Sequence, residues 1–331
     1  MRTSSSRVPS LMPSVFLNGA FLERDDARIS AFDAGLQHGV GLFETMLAVA
    51  RNDGREVLDL DAHLDRLALS ARELRLTERL RVDALRDAVL HTVSRAGEEE
   101  DAGRLRVRLT ITGGDLNLLQ NSRTSESKTG ETQQQPTLLI SATRATEYPA
   151  EMFEKGVLVS IADWKANPLD PMQGHKTINY WARMRELQTA AAKNAAEALI
   201  FQVTNHLAGG CVSNALLVRD GAVISPICRT EEVRAAGAED QPGSSGAAIL
   251  PSPILPGITR RWALDWAQGE GRTIERRALT IHDILAADEL LLTNSSWGVL
   301  PVVAVESHVV GAGRPGEVGR ALTAAWRERL I

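Results

Sequence analysis

One segment in the C-terminal half of the chain has the composition of a helix start that binds an anion: Leu255-Pro256-Gly257-Ile258-Thr259. The first amides of a helix have no backbone partner, and a glycine lets a phosphate oxygen come close to them. Taken alone, a Pro-Gly pair before a helix indicates only a turn. Phosphate binding at this segment therefore needs support from residues elsewhere in the chain.

Arg66 lies within a predicted helix of the N-terminal half, and its guanidinium has a planar fork of donors that can bind two oxygens of one anion. The apolar residues around it recur at intervals of four and three, which predicts a helix with Asp61 as its cap. These apolar residues are Leu60, Leu64, Leu67, Ala71 and Leu74. An arginine on such a helix is most often a solvated surface charge, so the residue type alone does not assign a role.

The elements that must position these groups are strands and helices in irregular order. Residues 15–23 are typical of a β-hairpin around Asn18-Gly19, and alternating apolar residues predict paired strands at 104–112 and after Pro136. Apolar periodicity predicts further helices near residues 82–94, 180–193, 259–270 and 316–330. Strands and helices without strict βαβ alternation predict an α+β fold rather than a doubly wound sheet.

The length of 331 residues suits two domains, each able to bury its own core. Pro149 lies in a segment typical of a linker, which places the boundary near residue 148. We expect a disordered leader at 1–14, a smaller α/β domain at 15–148 and a larger domain at 149–331. Polar stretches at 117–135 and 231–248 are expected to be surface insertions that carry no chemistry.

The composition excludes several classes of function. A formal net charge of -5 gives no reason to expect nucleic acid as a partner, and no apolar stretch is long enough to predict a membrane span. The two cysteines, Cys211 and Cys228, cannot form a disulfide framework or a cysteine-rich metal site. Free thiols predict a cytoplasmic protein, and no metal site is expected.

Three separated segments carry a family resemblance. The first is FLNGAFLERDDARISAFDAGLQHGVGLFETM with HLDRLALSARELRL, the second is GHKTINYWARMRELQTAAAKNAAEALIF, and the third is ILPGITRRWALDWAQ with DELLLTNSSWGVLPV. Together they resemble the class IV, fold type IV pyridoxal-phosphate enzymes, which include branched-chain aminotransferases, D-amino acid aminotransferase and aminodeoxychorismate lyase. In the first segment, Asp33-Ala34-Gly35 and Gly39-Val40-Gly41 stand where members usually have Asp-Arg-Gly and Gly-Asp-Gly.

The resemblance implies a two-domain fold of the D-amino acid aminotransferase type, pyridoxal 5'-phosphate as cofactor, and a homodimer. It implies that Lys176 is catalytic: its amine forms an imine with the cofactor aldehyde, is displaced by the substrate amine, and then moves the Cα proton. Tyr180 is expected near the phenolic oxygen of the cofactor, with simple packing at a helix start as the alternative. Asn179-Tyr180, where the lyases tend to have Asn-Arg, favours a transaminase.

The phosphate-binding residues implied by the resemblance come from three places in the sequence. Arg66 matches the family's phosphate clamp, and Ile258 and Thr259 match the positions at the helix start. Ser295, in Thr293-Asn294-Ser295-Ser296, matches the family's hydroxyl loop. The same loop without the other segments would be ordinary turn sequence.

One position departs from the family. Members carry a Glu that binds the pyridine nitrogen and keeps it protonated, and Gly209 occupies that position here, with no Asp or Glu from Ala198 through Arg219. Without this carboxylate the cofactor should withdraw electrons less strongly from the substrate carbanion. His206 or a water could contact the nitrogen instead, although a solvated turn histidine is the simpler interpretation. Substituting Gly209→Glu is expected to raise turnover if the missing acid limits the reaction.

The function predicted from the sequence is transfer of an amino group between an amino acid, for which branched-chain residues are one candidate class, and a 2-oxo acid. The first alternative is the lyase that releases pyruvate from 4-amino-4-deoxychorismate in the folate pathway. A second is a pyridoxal-phosphate-binding relative with weakened activity because of Gly209. An Arg that many members carry before a strand-end Gly is replaced by Gly113, which removes one clue to the substrate carboxylate.

Overall fold

The computed structural model describes residues 15–52, 54–77, 80–96, 103–115, 136–232 and 250–331. The chain forms two units, one of Met1–Thr146 with Thr177–Asn179 and the other of Glu147–Lys176 with Tyr180–Ile331. The expected leader and the expected insertion at 117–135 lie outside the described residues, as does most of the insertion at 231–248.

Among its described residues, the first unit contains a six-stranded sheet with the order β2-β1-β6-β5-β3-β4, in which every neighbouring pair is antiparallel. Its strands are β1 (Val15–Leu17), β2 (Ala20–Leu22), β3 (Gly41–Arg51), β4 (Gly54–Val57), β5 (Leu105–Thr112) and β6 (Leu138–Arg144). The hairpin turn forms at Asn18 and Gly19 because both adopt positive φ, at 49° and 94°. The hairpin and the strand pair predicted from the sequence are both present.

The helices of the first unit are α1 (Ala34–His38), α2 (Leu60–Glu73) and α3 (Val82–Ala96), with a short 3-10 turn at Arg24–Asp26. Helices α2 and α3 bury their apolar sides, including Leu64 and Val89, in one core with the sheet. The prediction that Asp61 caps α2 is wrong. Asp59 precedes the helix without a side-chain cap bond, and Asp61 instead accepts a hydrogen bond of 2.8 Å from Arg86.

The second unit contains a mixed sheet of nine strands within the described residues. Eight follow the order β12-β11-β10-β13-β14-β7-β8-β9, and β15 pairs with β14. The strands are β7 (Val157–Ile161), β8 (Glu197–Phe201), β9 (Leu207–Gly210), β10 (Asn214–Arg219), β11 (Ala222–Ser225), β12 (Ile274–Arg276), β13 (Glu289–Asn294), β14 (Gly298–Val305) and β15 (His308–Val309).

The helices of the second unit are α4 (Ala150–Glu154), α5 (Trp181–Ala192), α6 (Ile258–Gly269), α7 (Ile281–Leu285) and α8 (Glu317–Glu328). Helices α6 and α8 pack on one sheet face, where Leu264 and Leu322 meet Leu291 of β13. Since side chains alternate along a strand, Thr293 follows Leu291 onto this face. The α+β fold predicted from the sequence is confirmed, and β13 brings a hydroxyl to the face that α6 covers. No helix in the described ranges is both long and apolar enough to span a membrane.

Candidate active site

The proposed reactive lysine lies just before α5, close to an aromatic ring. Lys176 and Tyr180 are both half-buried, and Lys176 Nζ lies 5.6 Å from the centre of the Tyr180 ring. That distance is within the range of a cation–π interaction. Of the intervening residues, which belong to the first unit, Ile178 donates its amide to Gly41 O at 3.0 Å. The two residues predicted to act together are therefore neighbours in the structure.

The start of α6 brings together the residues predicted to bind phosphate in the second unit. Gly257 precedes the helix and has no side chain to cap it, so the first amides are not used by a capping group. Thr259 Oγ1 lies 3.5 Å from Ser295 Oγ. Ile258 is the first residue of the helix and is buried. Backbone amides and hydroxyls that converge in this way suit a phosphate.

Thr293, which the sequence analysis did not select as a ligand, supports the same assignment. Its side chain is 1% exposed, and its Oγ1 has no hydrogen-bond partner among the described residues. A buried hydroxyl without a partner costs free energy, so this atom calls for a ligand or an ordered water. Thr293 lies two residues before Ser295 on the sheet face that α6 covers. The residues present therefore fit a phosphate-bearing cofactor.

Gly257 is required by space rather than by backbone conformation, since its φ of -67° is ordinary. A Cβ at this position would overlap Oδ1 of Asn214. Asn214 is held in place because its Nδ2 donates to Leu255 O at 2.9 Å. Asn214 of β10 therefore contacts the start of α6 directly, and only glycine at residue 257 leaves room for its Oδ1.

Arg260, the residue after Thr259, anchors the first turn of α6 and is 3% exposed. Its guanidinium donates to both carboxylate oxygens of Glu231, at 3.0 and 2.8 Å, to Ser225 Oγ at 2.6 Å and to Pro226 O at 3.1 Å. Burial raises the pKa of Glu231, but the bonds from Arg260 outweigh that effect and the net pKa is lowered. The carboxylate is therefore ionised and pairs with the arginine.

In the first unit, Arg66 on α2 binds a buried carboxylate. Its Nε and Nη2 donate to the two oxygens of Glu44 at 2.9 and 2.5 Å, and His63 Nδ1 lies 2.7 Å from Glu44 Oε2. Burial raises the pKa of Glu44, but the opposing effect of Arg66 and His63 is larger, and the pKa is lowered from 4.5 to about 2. Burial lowers the pKa of His63 despite the neighbouring carboxylate. The Arg66 guanidinium is thus oriented by Glu44, which sequence reasoning did not identify.

Gly209 lies at the end of β9 with φ of +128°, in the region that side chains disfavour. A Cβ there would also come within 2.9 Å of Ser213 O. The expectation that Gly209→Glu raises turnover therefore needs revision, because the backbone opposes any side chain at this position. His206 lies in the turn between β8 and β9, where its Nδ1 is 3.0 Å from Thr204 Oγ1. This contact favours the interpretation of His206 as a turn residue.

The family model for amino-transferase class IV matches residues 41–305 of this chain, which is most of its length. The chain belongs to the class IV aminotransferase family. Enzymes of this family depend on pyridoxal phosphate, and the resemblance seen in the three sequence segments is confirmed. The match spans β3 to β14 and so includes Lys176, the start of α6 and the Thr293–Ser296 loop.

Individual relatives point in two functional directions. The chain is 27% identical to a candidate branched-chain-amino-acid aminotransferase of Methanocaldococcus jannaschii, over 95% of each protein. It is 22% identical to the aminodeoxychorismate lyase of Bacillus subtilis, over 96% of this chain and 94% of the relative. The structure matches that of the Escherichia coli branched-chain amino acid aminotransferase with a TM-score of 0.79 and 21% identity, over 97% and 95% of the two chains. This structural likeness shows the fold.

Both cysteines are buried, and the described residues contain no group of metal ligands. No group of three or more His, Cys, Asp or Glu side chains suited to a metal ion occurs in the described part of the chain. Cys211 and Cys228 are both buried. Burial raises the pKa of Cys228 to about 12 and also raises that of Cys211, so both stay protonated at neutral pH.

Proposed function

We propose that this class IV family member is a pyridoxal-phosphate-dependent aminotransferase in which Lys176 holds the cofactor covalently. The observation that carries the proposal is the convergence of Thr259, Ser295 and the uncapped start of α6, within the same unit as Lys176. A phosphate site and a reactive amine in one unit are what a phosphorylated aldehyde cofactor needs. The lyase and the weakened relative would use the same set, so assays with substrates separate these three.

Each residue has a distinct part in this proposal. Ile258, Thr259 and Ser295 would hold the phosphate, and Arg66 would add a guanidinium whose orientation Glu44 fixes. When bound, pyridoxal phosphate supplies an electron sink for the substrate carbon next to nitrogen. Lys176 would bind the aldehyde carbon, give it up to the substrate amine and then carry the Cα proton. Tyr180 lies beside Nζ and would orient it.

The proposed substrates are an amino acid and a 2-oxo acid, with branched-chain amino acids first because the most similar relative described above carries that name. The lyase remains the second candidate because a relative of similar coverage has that activity. We also propose a homodimer, which a measurement of mass in solution tests directly. A binding protein with weakened turnover is the third outcome, and it differs from the first two only in rate.

The decisive experiment is reduction of the cofactor-loaded protein with borohydride, followed by mass analysis of its peptides. We expect the cofactor mass on the peptide that contains Lys176, and Lys176→Ala should lose both the label and the visible absorbance. Lys193→Ala, on the same stretch of chain but 51% exposed, is the matched control and should keep the label. A label on a different lysine would contradict the proposal.

The substrate is tested by offering one preparation two reactions in parallel. We expect glutamate formation from 2-oxoglutarate with leucine, isoleucine or valine as donor, and no such product with Lys176→Ala. Release of pyruvate from 4-amino-4-deoxychorismate without any amino transfer would assign the lyase instead. Covalent cofactor binding with neither product would support the weakened relative.

A further inference from the structure

The turn that joins β9 to β10 is bound by two charged side chains, the carboxylate of Glu197 and the guanidinium of Arg183. Glu197 accepts hydrogen bonds from Cys211 N at 3.0 Å, from Val212 N at 3.1 Å and from Ser213 Oγ at 3.1 Å. Arg183 donates through Nη1 to the carbonyls of Gly210 and Cys211, both at 3.2 Å. This turn directly follows Gly209, where the family resemblance places the acid that serves the ring nitrogen.

Glu197 is bonded to this turn, but its carboxylate does not replace the missing acid. Glu197 has 0% of its surface exposed, so its carboxylate depends on donors from the protein itself. Its two oxygens already accept four hydrogen bonds, since Ala198 N adds one at 3.1 Å to the three from the turn. Burial raises the pKa of Glu197, and these donors act in the opposite direction. Glu197 therefore serves the turn itself.

Residue 209 and the nearby His206 do not supply the missing contact either. With φ of +128° and Ser213 O within 2.9 Å of a Cβ, its backbone is set for glycine. His206 lies at the opposite end of β9 from Gly210, in the turn where it contacts Thr204. Neither position offers a group that could meet the ring nitrogen.

Arg183 has the geometry for that contact. It is half-buried, and its Nε and Nη2 have no acceptor among the described residues. Its Cζ lies 5.6 Å from the ring centre of Trp164 and 5.7 Å from that of Tyr180. Lys176 Nζ lies 5.6 Å from the same Tyr180 ring. The guanidinium is therefore oriented by two carbonyls and two rings, next to the residue that also contacts the proposed reactive amine.

We propose that Arg183 donates a hydrogen bond to the ring nitrogen of the bound cofactor, in the place of a carboxylate. This inference rests on the proposed function, because it takes Lys176 as the residue that binds the aldehyde. A guanidinium does not give up its proton, so its partner must be a nitrogen with a free lone pair. Arginine and aspartate are both partners of this nitrogen in pyridoxal-phosphate enzymes.

The consequence is a neutral pyridine in place of a pyridinium. A group that hydrogen-bonds to the unprotonated form favours that form, in the same way that a carboxylate favours the protonated one. A neutral ring withdraws electrons from the substrate carbon less strongly. The chain is therefore expected to favour slow turnover, or substrates whose Cα proton is already acidic.

The test reads the ring nitrogen directly and does not depend on activity. Protein loaded with cofactor that carries nitrogen-15 in the ring should give the chemical shift of a neutral, hydrogen-bonded pyridine. Arg183→Met removes the donor and should move the resonance further from the pyridinium position, while Arg183→Lys restores a donor and should bring it back. Arg185→Met is the matched control, because Arg185 is on the same helix and 63% exposed, and its resonance should equal that of the wild type.

Each result decides between the two proposals. A pyridinium resonance in the wild type, or one resonance shared by the wild type and both Arg183 variants, overturns the role of Arg183. A cofactor that binds without a borohydride label on Lys176 overturns the proposed function, while the nitrogen shift still reports on Arg183. Failure to bind any cofactor overturns both. Melting temperatures of all variants, measured without cofactor, separate a loss of folding from a change at the ring.

Discussion

Arg66 and Glu44 form two parallel hydrogen bonds, of 2.9 and 2.5 Å, between α2 and β3 of the first unit. The side chain of Glu44 is 1% exposed and that of Arg66 is 9% exposed. The pair is therefore shielded from solvent, and His63 completes it with a third bond to the same carboxylate. An ion pair in this setting fixes orientation, and removing one partner leaves a buried charge.

Glu44→Gln should destabilise the protein by about 3–5 kcal/mol, because the guanidinium of Arg66 loses a charged partner within the core. The free energy of unfolding in urea, measured without cofactor, gives this value. Glu56→Gln is a suitable control, since Glu56 pairs with Arg51 at the surface and its side chain is 52% exposed. That change should cost less than about 1 kcal/mol. Equal losses in the two variants would contradict the importance of the buried pair.

The same group predicts that stability falls on acidification. The folded pKa of Glu44 is lowered from 4.5 to about 2, so its contribution is complete above pH 4.5 and is lost as pH falls towards 2. The folded pKa of His63 is also lowered from its ordinary 6.5, so the unfolded chain takes up a proton first and stability declines below that pH. Urea unfolding across this range should show both losses. His63→Gln should remove the loss of stability that begins below pH 6.5. An unchanged dependence of the unfolding free energy on pH in that range would count against the assignment to His63.

Gly257→Ala should weaken cofactor binding because the added methyl group overlaps Asn214 at the helix start. We expect the Kd for pyridoxal phosphate to rise about tenfold or more, which corresponds to about 1.4 kcal/mol. Gly269→Ala is the matched control on the same helix, since a Cβ there has nothing within 4 Å. Titration followed by absorbance measures both. Equal affinities in the two variants would argue against close packing at residue 257.

Arg260→Met should destabilise the second unit, because it removes two hydrogen bonds from the Glu231 carboxylate and one from the Ser225 hydroxyl. The Glu231 side chain is 24% exposed, so we expect the lower end of the about 3–5 kcal/mol typical of a broken buried pair. Arg261→Met changes an exposed arginine on the same helix and should cost less than about 0.5 kcal/mol. Thermal unfolding compares the two, and a reversal of their order would disprove this role for Arg260.

Local patterns in the sequence were sufficient for much of the fold. The spacing that includes Leu64 and Leu67 predicted α2, and Asn18-Gly19 predicted the first hairpin, because both signals lie within a few residues of the structure they specify. The cap of α2 was missed because Asp59 takes a positive φ of 54° and makes no side-chain cap bond, whereas the usual capping residue has an extended backbone and makes that bond. Periodicity locates an element more reliably than it locates its end.

The interactions that shape the candidate site depend on contacts between distant parts of the chain. Glu44 and Arg66 meet across 22 positions, and Glu197 meets Ser213 across 16. Only their resemblance to a family made Arg66 and Ser295 visible in the sequence, whereas Glu197 and Arg183 lie in one of the matching segments without a role assigned to them. A buried acid at the start of a strand, followed by a glycine-rich turn, is the one signal that could have indicated the bonds of Glu197.

The positive φ of Gly209 limits how this protein could be redesigned. A library that varies only this position will return folded variants with glycine, because every side chain meets the same backbone obstacle. Placing an acid at residue 209 would require a new path for the chain from Gly210 to Ser213, together with new acceptors for Arg183, which donates to the carbonyls of Gly210 and Cys211. Engineering of faster catalysis in this protein should therefore replace the whole turn from Gly210 to Ser213 at once.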